Sequence, residues 1–279
     1  MTRLSIIIVT YNSVGCIDTC LASLAQAASA TAHDTLVVDN ASPDGTAAEV
    51  RQRWPGVRVI DTGANAGFAR ASNIGIRQTS GELVLLLNPD TQVRPGAIDR
   101  LVAALDARPD AAVAGPRLRD GEGRVELSFG SMIGPFTEMR QKILIAGHQR
   151  GWPIVSGYVD RLTQGPRTVD WVSGACLLVR RRDAEAVGLI DERYFMYAED
   201  VDFCAALRAR GRTVLFAPAA DVVHLRGRSV VSAQGATEEA YRRSQLAFYR
   251  KHHPRWLPFL RAYLKLRRRL PDPPVDPHT

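Results

Sequence analysis

No run of apolar residues in this chain approaches the ~18 needed to cross a bilayer as a helix, so no membrane span is expected. No charged and apolar leader precedes the first strand-like run, Leu4 to Val9, so the expected location is the cytoplasm, with peripheral membrane contact left open. Cysteine is scarce: Cys16, Cys20, Cys176 and Cys204 form no CxxC pair and no zinc-finger spacing. Cys16 and Cys20 would share one face of a helix, where small buried hydrophobes with reduced thiols are a simpler reading than a metal or redox pair. The signatures GxxxxGK(S/T), GxGxxG and GxSxG are all missing, so a P-loop, a dinucleotide fingerprint and a nucleophile elbow lose their support. There is no internal repeat and no RNA-recognition motif.

What is present describes a globular enzyme-sized chain. With 279 residues, 46% hydrophobic and 23% charged, it can bury one large α/β core with additions, or two smaller ones. The net charge is +7, and Arg far outnumbers Lys. Much of the excess lies between Arg242 and Arg269, while the remainder is close to balanced. That distribution argues against nucleic acid as a partner and allows phosphorylated small molecules or anionic lipid.

Strand and helix patterns alternate through the first half. Leu4–Val9, Thr35–Val38, Val57–Ile60 and Leu83–Leu87 are short apolar runs of the kind buried on both faces. Between them lie helical spacings at Val14–Leu24, Ala47–Arg53 and Phe68–Arg77. Pro95 is expected to open a further helix carrying Ile98, Leu101, Val102 and Leu105. Ala112–Ala114 starts another strand. The alternation predicts a mostly parallel sheet with helices on both faces, whose ligands bind beyond the carboxyl ends of the strands. Three polar clusters stand there: Thr10–Tyr11–Asn12, Asp39–Asn40 and Asn88–Pro89–Asp90. From Gly121 to Arg167 the pattern weakens into what reads as an insertion or flexible cover, with a helix around Thr137–Ile145. Strands are expected again at Val169–Trp171, Cys176–Val179, Thr213–Phe216 and Val222–Val223. Helices are expected near Asp183–Val187 and from Asp200 to Arg210, the latter closing at Gly211.

Several side chains have two readings. Asp90 suits a divalent ion that bridges diphosphate oxygens, or simply a turn. Glu199, Asp200 and Asp202, beside Tyr194–Tyr197, suit a general base with a pKa raised by apolar walls, or a helix cap. His224 is a ligand or a structural histidine. Asn65, Gly67 and Arg70 sit at a helix start that suits phosphate. The helical tail, Glu238 to Leu270, interleaves Leu, Phe and Tyr with Arg and Lys. It suits an anionic membrane surface, packing on the catalytic body, or a homodimer interface.

In this order the motifs resemble the family-2 glycosyltransferases of the GT-A fold, closest to bacterial rhamnosyltransferase-like members, over roughly residues 4–255. Ser5–Asn12 is similar to the family's opening strand and nucleotide-binding turn, and Val37–Ser42 to its second strand end. Asn65–Gly75 is similar to the ribose and diphosphate segment. Leu85–Asp90 matches the position of the DxD metal motif, with Asn88 in place of the first Asp. Trp171–Ala175 resembles the segment under the donor sugar, and Phe195–Asp202 the motif that carries the base.

The resemblance implies a catalytic domain over 1–235, with a nucleotide-sugar half to about 118 and an acceptor and catalytic half over 119–235; beyond it the residue pattern gives a helical region over 236–270, and the Pro-rich residues 271–279 read as a disordered tail. It implies an inverting transfer of a sugar to a glycan or lipid-linked acceptor. L-rhamnose from dTDP-rhamnose is the expected donor, and UDP-galactose or UDP-N-acetylglucosamine the alternative. Asp200 would be the base and Glu199 the second candidate. Asp90 and His224 would hold Mg²⁺ or Mn²⁺. Thr10, Tyr11, Asn12, Asp39, Ala41, Asn65, Gly67, Arg70, Asn73, Asn88, Pro89, Trp171 and Gly174 would line the donor, with Asp39 on the pyrimidine. A catalytically silent nucleotide-sugar-binding protein is the other class, and Asn88 is its support. A sugar-nucleotide pyrophosphorylase would need a Gly-rich basic loop where Thr10–Ser13 stands.

Overall fold

The computed structural model describes residues 2–225 and 234–271, with the side chains of 234–237 left aside. Arg226–Ser229 and residues 272–279 of the expected disordered tail lie outside the described residues. The strands are β1 (Leu4–Thr10), β2 (His33–Asp39), β3 (Arg58–Asp61), β4 (Leu83–Leu87), β5 (Thr91–Val93), β6 (Ala111–Arg119), β7 (Val125–Glu126), β8 (Phe129–Gly130), β9 (Arg167–Val169), β10 (Trp171–Val172), β11 (Cys176–Arg180) and β12 (Thr213–His224). The helices are α1 (Ile17–Ala27), α2 (Thr46–Arg53), α3 (Phe68–Arg77), α4 (Ala97–Asp106), α5 (Pro135–Gln149), α6 (Pro153–Gln164), α7 (Arg181–Ala186), α8 (Glu199–Ala209), α9 (Gln234–His252) and α10 (Leu257–Leu266).

One sheet runs β3-β2-β1-β4-β11-β6-β12-β5, with β7 beside β6 and β9 beside β12. The first four strands pair parallel, as the alternation predicts. β11 then enters antiparallel to both β4 and β6, so the second half is mixed. Because side chains alternate along a strand, each apolar run feeds two cores. Ile6, Ile8, Val37, Leu85 and Leu178 meet α1, α2 and α4 on one face. Ile7, Leu36, Val38, Leu86 and Val179 meet α3, α7 and α8 on the other.

Three details differ from the sequence pattern. α4 begins at Ala97, after Gly96 at φ +70°, so Pro95 lies just outside it. The strands expected at 213–216 and 222–223 are one, β12, interrupted by a register shift between Ala217 and Asp221. The weakly patterned stretch is built rather than loose: α5 and α6 pack on each other, and β8 pairs with β10. Val155, Val159 and Leu162 do repeat at helical spacing along α6, but Gly151, Pro153, Gly157 and Gly165 punctuate the stretch as a loop would, which is why the pattern missed it. All four cysteines are buried and free. Burial pushes the Cys20 and Cys204 thiols up to about 12, which leaves them inert.

The tail joins this body. Phe248 and Tyr249 of α9 are buried with Tyr194 and Val201 in a third cluster, which Leu257 and Leu260 adjoin. At its rim Asp202, 2% exposed, accepts from Lys251 Nζ at 2.8 Å and from Tyr194 Oη at 3.2 Å, with His252 Nε2 at 2.6 Å. Burial alone would raise the Asp202 pKa; hydrogen bonds to His252 and Lys251 outweigh it and hold the carboxyl below its ordinary 3.8. Glu138 of α5 is the counterpart on the other side of α9, accepting from Tyr249 Oη at 2.9 Å and Gln245 Nε2 at 2.6 Å.

A group with a depressed folded pKa stabilises above its unfolded value and loses that contribution as pH falls through the folded one. Asp202→Asn should therefore cost about 2 kcal/mol at neutral pH, below the figure for a fully buried pair because Lys251 and His252 are 31 and 25% exposed. It should also flatten the acid side of the stability–pH curve. Urea unfolding from pH 3 to 7 reads both; an unchanged midpoint and slope would contradict the role given to Asp202.

Candidate active site at the strand ends

β2, β1 and β4 are neighbours and parallel, so their carboxyl ends emerge on one edge, with Thr10 opposite Asp39 and Ile8 opposite Leu87. β11 runs the other way, which brings the residues before it to the same edge: the Asn88 N–H donates to the Ala175 carbonyl at 2.9 Å. β12 ends there too, with His224 opposite Thr91. The topology thus gathers Thr10, Asp39, Asn88, Asp90, Gly174 and His224, as the strand-end rule expects.

The nucleotide-side turns are tightly built. Asp39 is buried; its Oδ1 accepts from the Thr10 and Ser42 hydroxyls and its Oδ2 from the Ser42 N–H. That leaves a single carboxylate lone pair for a ligand donor. Asn12 and Ala41 hold φ of +52° and +56°, and the Asn12 N–H bonds Ser42 Oγ, so the two turns lock together. The buried Asn12 Oδ1 has no hydrogen-bond partner, an acceptor aimed at nothing in the protein. Tyr11 is 40% exposed beside it.

The α3 start closes the other wall. Asn65 Oδ1 accepts from the Gly67 N–H at 3.1 Å. Gly67 has φ +81°, and a Cβ there would stand 2.5 Å from the Phe195 carbonyl oxygen. The Phe68 N–H donates to that same oxygen at 2.7 Å, joining α3 to the acidic motif. Arg70 is exposed on the first turn and lies 4.0 Å from Glu192. Asn73 needs a correction. It is buried, its Nδ2 donates to the Ile190 carbonyl and Glu192, and its Oδ1 accepts from the Ile190 N–H. It ties α3 to the loop before the acids and is no open donor contact. Trp171 is half-buried, with Nε1 donating to the Ser131 carbonyl.

Glu199 and Asp200 open α8, after Tyr197 and Ala198 at φ +71° and +65°. Side-chain-bearing residues pay for such backbone, and it persists where the surroundings over-determine it. Here α9 does so: Ser244 Oγ donates to the Met196 carbonyl at 2.7 Å and Tyr241 stacks edge-on to Tyr197. Asp200 accepts from the Gly174 N–H at 2.9 Å and the Val201 N–H at 2.8 Å. Desolvation nevertheless raises its pKa above 3.8, in spite of those two amides. Glu199 is raised further, by desolvation and then by the Asp200 charge, and its buried Oε2 has no hydrogen-bond partner.

In the turn after β4, Asp90 is 6% exposed and its Oδ1 lies 3.3 Å from Nε2 of His224, the last residue of β12. The Leu225 N–H donates to the Asp90 carbonyl, which fixes β12 against this turn. On the far side of the imidazole, Glu126 Oε2 lies 3.5 Å from Nδ1. Burial disfavours the charged imidazole, but Asp90 and Glu126 outweigh it and push His224 up to about 9. The sequence reasoning missed Glu126, which sits on a two-residue strand in the weakly patterned stretch. Among the described residues no three His, Cys, Asp or Glu side chains converge as a complete metal cage. Two protein ligands that leave room for ligand oxygens and water do fit Mg²⁺ or Mn²⁺, which seldom occupy all-protein cages.

Residues 5–187 match the sequence profile of Glycosyl transferase family 2. The chain is 36% identical over 266 residues to the N-acetylglucosaminyl-diphospho-decaprenol L-rhamnosyltransferase of Mycobacterium tuberculosis, covering 91% of this chain and 86% of that one. It is 24% identical over 183 residues to rhamnosyltransferase WbbL of Escherichia coli K12, covering 63 and 67%. In structure it is similar to the mannosyltransferase PcManGT of Pyrobaculum calidifontis, solved with GDP-Man and Mn²⁺, at a TM-score of 0.61 and 18% identity over 95% of this chain and 69% of that one.

Proposed function

The chain belongs to glycosyl transferase family 2, and from that membership we propose that it transfers L-rhamnose from dTDP-rhamnose to a hydroxyl of a lipid-linked, N-acetylglucosamine-bearing acceptor in bacterial cell-surface polysaccharide synthesis. Its fold is GT-A, and it is a nucleotide-sugar-dependent glycosyltransferase. The observation that carries the proposal is the desolvated Glu199–Asp200 pair, with Asp200 on the Gly174 amide just before β11, which starts at the edge where β4 ends. The rhamnose donor and the diphospholipid acceptor follow the mycobacterial relative, whose likeness spans nearly the whole of both chains.

In the proposed mechanism the nucleotide lies against Thr10, Tyr11, Asn12, Asp39 and Ala41, with the remaining Asp39 lone pair for the pyrimidine. Asn65, Gly67 and Arg70 face ribose and diphosphate, with the exposed Arg70 guanidinium turning from its 4.0 Å contact with Glu192 to a phosphate. Asn88 and Pro89 shape the diphosphate side, and Trp171 and Gly174 the sugar side. Asp90 and His224 would hold Mg²⁺ or Mn²⁺, which when bound neutralises charge growing on the leaving diphosphate.

Asp200 takes the proton from the acceptor hydroxyl as its oxygen attacks the anomeric carbon. The attack comes from the face opposite the diphosphate, so one displacement inverts the configuration. The two amides on Asp200 hold the carboxylate in place, while desolvation makes it a stronger base than a carboxylate in water. Glu199, held toward its neutral form behind Asp200, adds no second charge to the base. Glu126 keeps the imidazole oriented so that Nε2 points to the metal position.

The first test is nucleoside diphosphate release from a panel of dTDP-, UDP- and GDP-sugars, with and without Mn²⁺. Metal-dependent release from dTDP-rhamnose alone is expected; release from UDP-galactose or UDP-N-acetylglucosamine instead would replace the donor assignment. Asp200→Asn should lower kcat by about 10²–10⁴-fold with donor Kd little changed. Because Asp200 must be ionised to act and burial raises its pKa, kcat/KM should climb with pH through a value above 3.8. Near-normal turnover in the variant would remove Asp200 as base. Glu126→Gln should weaken Mn²⁺ binding, measured by titration calorimetry with dTDP present, by about 10–100-fold. Wild-type affinity would show that Glu126 does not orient His224.

A further inference from the structure

The tail helix is apolar on two faces, and only one of them is used. Leu257, Leu260 and Leu264 turn inward, the last fully buried. Trp256, Phe259, Tyr263 and Leu266, at i, i+3, i+7 and i+10, are 42, 67, 55 and 83% exposed. A second stripe runs along α5, where Phe136, Met139 and Ile143, at i, i+3 and i+7, are 70, 57 and 52% exposed. The stripes meet: the Phe136 ring lies edge-on to Trp256 at 5.9 Å, and Trp256 lies 5.6 Å from Phe259. Two helices far apart in sequence thus present one continuous apolar, aromatic surface.

We infer that this joint α5–α10 face docks the enzyme on an anionic lipid bilayer. The inference rests on the lipid-linked acceptor proposed above and adds the surface that brings the enzyme to it. Charge selects the occupant. From Pro254 to Pro271 the chain carries six cations and no acid. The one acid of α5, Glu138, is turned inward onto Tyr249 and Gln245. Cations flanking exposed Trp, Phe and Tyr suit the headgroup region of an anionic leaflet. A second copy of the chain on the same face would oppose cation to cation. The face is also fixed to the catalytic body, by Glu138 and by His253 Nε2, 2.6 Å from the Ile133 carbonyl. Docking therefore orients the cleft relative to the bilayer, which a loosely tethered tail would not do.

The test is flotation of the full chain with vesicles of phosphatidylcholine alone and of phosphatidylcholine with phosphatidylglycerol, without donor or acceptor. Binding to the anionic vesicles only, weakening with salt, is expected. The pairs Phe259→Ser/Leu266→Ser and Phe136→Ser/Met139→Ser should each reduce it roughly tenfold or more. All four side chains are exposed, so the thermal midpoint and diphosphate release with a short soluble acceptor should stay at wild-type levels. No binding of the wild type to anionic vesicles would overturn the inference, as would full binding by the α5 pair, which would reduce the face to the tail alone. A wild-type dimer that either pair splits would assign the face to a second copy. Vesicle binding needs no turnover and the donor panel needs no vesicles, so failure of one leaves the other standing.

Discussion

The position of the acid pair depends on a backbone that ordinary side chains disfavour. Tyr197 and Ala198 both occupy left-handed φ immediately before Glu199. Left to itself, that turn would relax and α8 would begin elsewhere. It is held from two directions. Gly67 and Phe68 seat against Phe195 on the nucleotide side, where a Cβ at position 67 would collide with the Phe195 carbonyl. α9 holds it from the other, through Ser244 on Met196 and Tyr241 on Tyr197. Strain kept by packing in this way preorganises a site, since the geometry is set during folding and not during reaction.

This dependence makes the tail a part of the catalytic body. Asp202 lies one helical position beyond Val201 and faces Lys251 and His252 of α9, so α8 is held by its own third acid. Glu138 repeats the device on the other flank, where α5 meets the same helix. α9 is thus clamped between a buried carboxylate, Asp202, and a half-buried one, Glu138, and both the acid loop and the α5–α6 unit take their positions from it. Of the readings open to the tail in the sequence, packing on the body is what α9 does, while the exposed stripe belongs to α10.

The limits of α3 and β4, and the polar clusters beyond β1, β2 and β4, were legible in the sequence because buried parallel strands leave unbroken apolar runs that stop where the ligand edge begins. Asp90 follows β4 and His224 ends β12 beside Thr91, while Asp200 stands in the first turn of α8. What was not legible depends on pairing between distant segments. Asn73 looks like any polar residue in a ligand segment; only the Ile190 backbone, brought beside it by the fold, engages both ends of its amide. Glu126 lies on a strand of two residues, too short for any period, and acquires its meaning from His224 almost a hundred positions later. α6 escaped because Gly151, Pro153, Gly157 and Gly165 read as loop punctuation around and within it, although Val155, Val159 and Leu162 share one helical face.

The same distinction explains why Asn88 is tolerated. Its fold-forming contacts are all main-chain: its N–H donates to the Ala175 carbonyl, and its carbonyl accepts from Thr91 Oγ1 and Cys20 Sγ. None of these depends on a carboxylate, so exchanging Asp for Asn leaves the turn intact. The change is electrostatic. Asp90 becomes the formal anion of this turn, facing a histidine that Glu126 flanks in turn. With one carboxylate fewer, the bare cleft repels a diphosphate less and attracts a free cation less. In the proposed function the donor's own oxygens would supply the missing negative charge, so a cation would be held best with the nucleotide already present. In the proposed chemistry the substrate completes the metal site, and Asn88 makes that order of assembly favourable.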